Sequence, residues 1–134
     1  MTTTRVISVS VPVRDQDEAL AFYTGVLGCE VRMDAEVWPG ARLIEVVPPG
    51  STVGILLLPP DGEIPVAIRL GTTDVAAAHE CIREAGVALH NDEVLHLEGA
   101  PPMFSFADPD GNGLVYLEEQ PDPTERLRAG DHAR

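Results

Sequence analysis

One unit occurs twice in this chain of 134 residues: a short apolar strand, an aspartate that can cap a helix, a helix with one apolar face, and a glycine. In the first copy, Glu18 follows Asp15 at capping-box spacing and Gly28 stands where helices usually end. Asp74 and Gly86 take these places in the second copy. The two aspartates lie 59 residues apart. The chain is therefore predicted to form two similar modules within one pseudo-symmetric domain.

The order of apolar runs predicts an α+β fold made of two βαβββ modules, whose sheets curve as half-barrels around a concave face. The modules are expected at about residues 5–60 and 64–119, within a domain of residues 1–120. Residues 121–134 are rich in proline, glycine and charge, and are predicted to be disordered. The first module is predicted to contain the helix Gln16–Leu27 and the strands Val6–Val13, Glu30–Ala35, Arg42–Val47 and Val53–Leu58. The second is predicted to contain the helix Val75–Ala85 and the strands Pro65–Gly71, Val87–His90, Met103–Ala107 and Leu114–Glu119, with a mobile flap over His90–Pro102.

The formal charge is −13, and every Lys or Arg position is an arginine. Nucleic acid and anionic membranes are poor partners for such a chain, because binding phosphate needs a positive face. A cationic ligand would be attracted, although acidity also serves solubility. No apolar run is long enough for a transmembrane helix, the start does not read as a secretory signal, and two cysteines make no disulfide framework. A cytoplasmic location is expected.

Four short segments carry a family resemblance: Val13-Arg14-Asp15, Ala21-Phe22-Tyr23, Leu27-Gly28, and the turn Asp108–Asn112 before the last strand. Through them the chain resembles the vicinal oxygen chelate superfamily of glyoxalases, bleomycin-resistance proteins and extradiol dioxygenases, over about Arg5–Glu119. The resemblance implies the paired βαβββ fold. It does not imply one reaction, because these proteins include enzymes of many kinds and some pure binders.

The resemblance also implies four metal-ligand positions on the concave face, which hold His, Glu or Gln in the metal enzymes. The matching positions here are Ser8, Ala67, Leu56 or Leu57, and Val115. A divalent ion needs three or four N, O or S donors, so neither a metal site nor a cofactor is expected. The bleomycin-resistance branch shares the fold, lacks the metal site and binds its drug in a cleft across a dimer. The chain is therefore expected to be a homodimeric, metal-independent small-molecule binding protein, with a cationic drug or metabolite favoured.

The ligand is predicted to bind on the concave face. Arg69 lies among apolar neighbours and needs a partner, which can be Glu45, a dimer contact or an anionic ligand group. Ser8 and Ser10 share one face of the first strand and can donate hydrogen bonds, and Trp38 can either stack on a planar ligand or anchor a subunit boundary. The predicted lining is Ser8, Ser10, Trp38, Arg42, Arg69, Met103, Ser105 and Val115.

Two other functions stay open from the sequence. His90, Asp92, His96 and Glu98 in the flap can form a displaced metal site, as in a metal-dependent glyoxalase-like lyase or dioxygenase. Their spacing fits no rigid element and a loop holds ligands poorly, so solvated flap residues are the favoured interpretation. The chain can also be a protein-interaction module that uses an exposed sheet edge. No residue is identified as catalytic, and the sequence leans away from an enzyme. His79 is interpreted as a surface or boundary histidine, and Cys81 as a small buried residue.

Overall fold

The computed structural model describes residues 4–120, so the predicted disordered tail, residues 121–134, lies outside the described residues. None of the helices in this part of the chain is long and apolar enough to cross a membrane. The strands are Thr4–Pro12 (β1), Glu30–Trp38 (β2), Ala41–Val47 (β3), Gly54–Leu58 (β4), Ile68–Thr72 (β5), Met103–Ala107 (β6) and Gly113–Glu118 (β7), and the helices are Gln16–Gly25 (α1) and Val75–Glu84 (α2).

All seven strands belong to one curved sheet in the order β2-β3-β4-β1-β5-β7-β6. The modules meet where β1 and β5 pair antiparallel, and each of these strands pairs parallel with the last strand of its own module. The helices repeat with the spacing of the aspartates: Gln16 to Val75 and Gly25 to Glu84 are each 59 residues. The predicted α+β fold of two related modules is confirmed.

Side-chain caps fix the start of both helices, as the sequence predicts. An oxygen of Asp15 accepts a hydrogen bond from the Glu18 backbone N–H at 3.0 Å, and Asp74 accepts from the Ala77 N–H at the same distance. These bonds satisfy backbone donors that the first helical turn leaves unpaired.

The two faces of the sheet have different coverings. On one face, which we call the helical face, α1 packs on a core that includes Ile44 and Leu57, and α2 packs on a core that includes Phe104 and Tyr116. On the other, which we call the inner face, Leu43, Leu56 and Leu58 form a third cluster. Residues 59–67 connect β4 to β5, and we call them the linker. Ile64 and Val66 of the linker pack against this cluster, so the linker covers part of the inner face of the first module.

The predicted strand Val87–His90 is wrong as a strand. Only Leu89 forms a bridge, with Phe106, and Leu95 forms a second one with Met103. A side chain interrupts the pairing: Asn91 Oδ1 accepts the Ser105 backbone N–H at 2.8 Å. When a side-chain amide accepts a hydrogen bond from a strand N–H, that N–H is no longer available for pairing with a neighbouring strand. The second module is therefore βαββ with a bridged connection.

His79 lies in the core rather than at the surface, with 8% of its area exposed. Its ring stands edge-on to Phe104 with the ring centres 4.8 Å apart, and its Nε2 lies 3.0 Å from the Asn91 carbonyl oxygen. Asn91 thus connects α2 to β6, and fastens the predicted flap at its start. Cys81 is half-buried, whereas Cys29 is buried in the core beneath α1.

Candidate functional site on the inner face

The strand register places residues from five strands in one row across the sheet. Ser8 on β1 lies opposite Gly54 on one side and Arg69 on the other. Arg69 lies opposite Val115, which in turn lies opposite Ser105. Directly opposed residues project from the same face, so this row crosses the centre of the inner face.

Two hydroxyl groups of β1 are buried without a hydrogen-bond partner among residues 4–120. They are Ser8 Oγ and Ser10 Oγ, and Ser8 has 0% of its area exposed. Alternation along the strand turns both serines to the inner face, whereas Val11 packs in the core beneath α1. A buried polar group that makes no hydrogen bond costs about 1–3 kcal/mol. Two of them side by side need an explanation.

Arg69 is the charged group of the row. Its side chain is half-buried, and within residues 4–120 its guanidinium makes neither an ion pair nor a hydrogen bond. Burial lowers its pKa below the usual value, because removal from water disfavours the charged form, and the charge of Glu45 opposes this shift. A guanidinium in such a setting calls for an acceptor.

Glu45, the partner expected for Arg69, is bound to Arg32 instead. Arg32 Nε donates to Glu45 Oε1 at 3.0 Å, and Nη2 donates to Oε2 at 2.6 Å. Arg32 also donates to the Thr52 carbonyl oxygen at 3.2 Å. The bond to Glu45 raises the pKa of Arg32. This bidentate pair occupies the carboxylate and leaves Arg69 without it.

The Arg32–Glu45 pair lies directly over Gly54. A Cβ at this position would overlap the Glu45 carboxylate and come within 2.6 Å of Arg32 Nη2. Any larger residue on this strand would make the ends of these two side chains shift. Since Gly54 is the neighbour of Ser8 in the row, the pair forms one wall of the site.

Arg42 does not belong to the inner face, contrary to the sequence prediction. Its Nη1 donates to Asp17 on α1 at 2.8 Å, and its Nε donates to Asp34 at 2.8 Å. Its neighbour Ile44, two residues along β3, packs in the core beneath α1. These contacts place Arg42 on the helical face, where the Asp34 bond raises the pKa of Arg42 and lowers that of Asp34.

The other predicted lining residues differ in how available they are. Trp38, at the end of β2, is 41% exposed and its Nε1 donates to Glu63 of the linker. The Ser105 hydroxyl lies 3.1 Å from His90 Nδ1 and 3.4 Å from Asn91 Oδ1, so it is engaged within the fold. Met103 is half-buried and Val115 is buried. Sequence reasoning missed the roles of Arg32 and Asn91, and regular alternation along β2 gives no signal for the first, because Met33 rather than Arg32 lies opposite Glu45.

The donor set at the four family metal positions does not fit a metal ion. Among Ser8, Ala67, Leu56 and Val115, only the serine carries a donor atom, and Leu56 is fully buried in the inner-face cluster. No group of three His, Cys, Asp or Glu side chains within residues 4–120 could hold a metal, so the flap residues do not assemble the alternative site. What the inner face provides instead is a guanidinium and two hydroxyls.

A cleft lies on the helical face. This cleft of about 590 Å³ is bordered by Gly86–Ala88 and Ala107–Pro109, with Phe106 and Leu114 as its floor. Its lining is mostly apolar, and the Asp108 carboxylate is occupied by its own turn, where it accepts hydrogen bonds from Asp110 and Asn112. The cleft therefore lacks the unpaired donors that mark the inner face.

Comparisons with known proteins agree on the fold. A model of the Glyoxalase/Bleomycin resistance protein/Dioxygenase superfamily matches residues 5–116. A hypothetical protein from Bacillus halodurans superposes with a TM-score of 0.74 at 18% identity, over 90% of this chain and 97% of that chain. Methylmalonyl-CoA epimerase from Mycobacterium tuberculosis gives 0.71 at 21% identity, over 92% and 91% of the two chains. A Streptomyces coelicolor methylmalonyl-CoA epimerase variant in complex with 2-nitronate-propionyl-CoA gives 0.69 at 23% identity, over 90% and 100%.

None of the curated proteins matches the chain. At these identities the solved structures show a shared fold and nothing finer, whereas the superfamily model matches well over half of the sequence. The chain belongs to the glyoxalase/bleomycin resistance protein/dioxygenase superfamily.

Proposed function

We propose that this protein binds a small molecule on the inner face of its sheet without a metal ion, in the manner of the bleomycin-resistance proteins. The observation that carries the proposal is a half-buried arginine without an ion pair or hydrogen bond, Arg69, on the same face as the buried and unpartnered hydroxyls of Ser8 and Ser10. Residues 4–120 supply no acceptor for any of these three groups. A bound molecule with acceptor atoms would supply the missing partner, and a protein selected for stability alone has little reason to keep polar groups without partners.

The position of these donors supports the same conclusion. Ser8 and Val115 occupy two of the positions that carry ligands in the metal enzymes, and Arg69 lies between them in the row. The chain therefore retains the binding surface of the fold with a different donor set. The Glu45 carboxylate, which could serve as a base, is held by two donors of Arg32, and this favours binding over proton transfer.

Metal content and ligand binding test the proposal together. The protein is purified without chelator, Ni, Zn, Mn and Fe(II) are offered separately, and bound metal is counted per chain. We expect far less than one equivalent. A thermal-shift screen of metabolites and antibiotics in EDTA should give ligands that raise Tm, and amide shifts in NMR spectra should map them to Ser8, Ser10 and Arg69.

Two outcomes would contradict the proposal. About one equivalent of metal, with ligand binding lost in EDTA, would favour a metal-dependent lyase or dioxygenase with displaced ligands. Failure of every small molecule to bind the inner face would favour the protein-interaction module. Homodimer formation and the cytoplasmic location stay predictions.

A further inference from the structure

We infer that the inner face receives a carboxylate, which Arg69 pairs with through its guanidinium, so the ligand class is a small monocarboxylate with an apolar body. This inference rests on the proposed function and adds the chemistry of the ligand.

The charge of the unsatisfied groups selects an anion. Arg69 is a cation in a desolvated place, and a cationic ligand would add repulsion to a site that already disfavours charge. A neutral carbonyl would accept one hydrogen bond and leave the charge uncompensated. An anion both accepts hydrogen bonds from Arg69 and compensates its positive charge. The overall charge of −13 acts at long range and is screened by salt, whereas the guanidinium acts at contact.

The number of charges selects a carboxylate over a phosphate. Arg32, which lies on the same face, is neutralised by Glu45, so Arg69 faces the ligand with one positive charge. A phosphate group carries up to two negative charges and would be placed close to the Glu45 carboxylate within an acidic protein. The planar guanidinium matches the two oxygens of one carboxylate.

The neighbours of Arg69 define the rest of the ligand. Val115 lies directly opposite Arg69, and Leu117 follows on the same side of β7. The Ser105 hydroxyl, at the far end of the row, is engaged by His90 and Asn91. Beyond the guanidinium, the second module therefore offers apolar surface and few free donors, which suits a hydrocarbon chain or ring.

Three probes of one size test the inference: hexanoate, hexanol and hexylammonium, in EDTA at constant ionic strength. We expect hexanoate to perturb the resonances of Ser8, Ser10 and the Arg69 side chain, and to bind at least tenfold more tightly than either analogue. Arg69→Met should weaken hexanoate binding at least tenfold. Arg14→Met is the matched control, because it removes the same charge from an exposed arginine and should leave binding unchanged.

The outcomes separate this inference from the function beneath it. If hexanol or hexylammonium binds the inner face as tightly as hexanoate, the protein is a small-molecule binder and the carboxylate assignment is wrong. If Arg69→Met keeps full affinity for hexanoate, the assignment is also wrong. If the probes and the wider screen all leave the inner-face resonances unmoved, the proposed function fails as well. Should Arg69→Met fail to fold, the wild-type Arg69 side-chain resonance decides, since an ion pair must shift it.

Discussion

Replacing Ser8 with alanine is expected to stabilise the free protein, although the change removes a hydrogen-bonding group from its core. Ser8 is 0% exposed and its hydroxyl has no partner within residues 4–120. An unpaired buried hydroxyl costs about 1–3 kcal/mol, which the alanine avoids. The space left by one oxygen, about 15 Å³, costs about 0.4 kcal/mol at roughly 24 cal/mol per Å³. The net gain in the free energy of unfolding is about 0.6–2.6 kcal/mol.

Urea denaturation at pH 7 measures this gain, with an unchanged m-value as the sign that both states keep their compactness. Each kcal/mol corresponds to about 4 °C in Tm for a domain of this size. Ser51→Ala is the matched control. The Ser51 hydroxyl donates to the Val53 carbonyl oxygen at 3.2 Å and accepts from the Val53 N–H at 3.1 Å, so its loss should destabilise by about 0.5–1.5 kcal/mol.

Substitution by alanine is thus expected to raise the free energy of unfolding at Ser8 and to lower it at Ser51, and this difference in sign tests whether the Ser8 hydroxyl lacks a partner. If Ser8→Ala lowers stability by 1 kcal/mol or more, as estimated for a satisfied hydroxyl, then Ser8 has an acceptor in the free protein. The description of the inner face as a set of unsatisfied donors would be refuted, and the carboxylate site would lose one of its supports.

Two further changes probe the surroundings of the site and the last turn. Gly54→Ala should destabilise the protein by no more than about 1 kcal/mol, because the new Cβ displaces only the flexible ends of the paired Glu45 and Arg32 side chains. Gly25→Ala meets no atom within 4 Å and should stabilise the end of α1 by about 0.5–1 kcal/mol; urea denaturation compares them. Asp108→Ala tests pH dependence. Hydrogen bonds from the Asn112 side chain and backbone lower the pKa of Asp108, so its stabilising effect is complete above the unfolded pKa of about 3.9 and is lost as pH falls through the lower folded value. The gap in Tm between wild type and Asp108→Ala should therefore shrink on acidification below about pH 4, and a gap that widens there would contradict the assignment.

Local signals made the helices predictable. Capping aspartates and terminal glycines fix where a helix begins and ends through contacts within a few residues, and Asp15 and Asp74 cap as expected. The connection after α2 was less predictable, because Asn91 pairs with Ser105 across the chain. Nothing in the local pattern shows that a side-chain amide will take the place of a strand.

The faces of the sheet were harder to assign than its strands. β3 is buried on both sides, so hydrophobic alternation does not tell which side Arg42 takes, and its contact with Asp17 of α1 decides the matter. Arg69 and Glu45 looked like partners because both project to the inner face. The pairing of β2 shifts register between Val31 and Met33, and this irregularity leaves no trace in the sequence. The bidentate contact of Glu45 with Arg32 on this strand therefore escaped prediction.

The linker over the first module has a consequence for how the two halves of this duplicated fold can diverge. Ile64 and Val66 pack on Leu43, Leu56 and Leu58, so the inner face of the first module has become interior. Substitutions at these positions change the stability of the fold, so selection constrains them as it constrains core residues. The equivalent positions on β7 are Val115, which lies opposite Arg69, and Leu117, which lies opposite Gly71. Variation among relatives should therefore concentrate in the second half when ligands change, while the first half keeps its apolar residues.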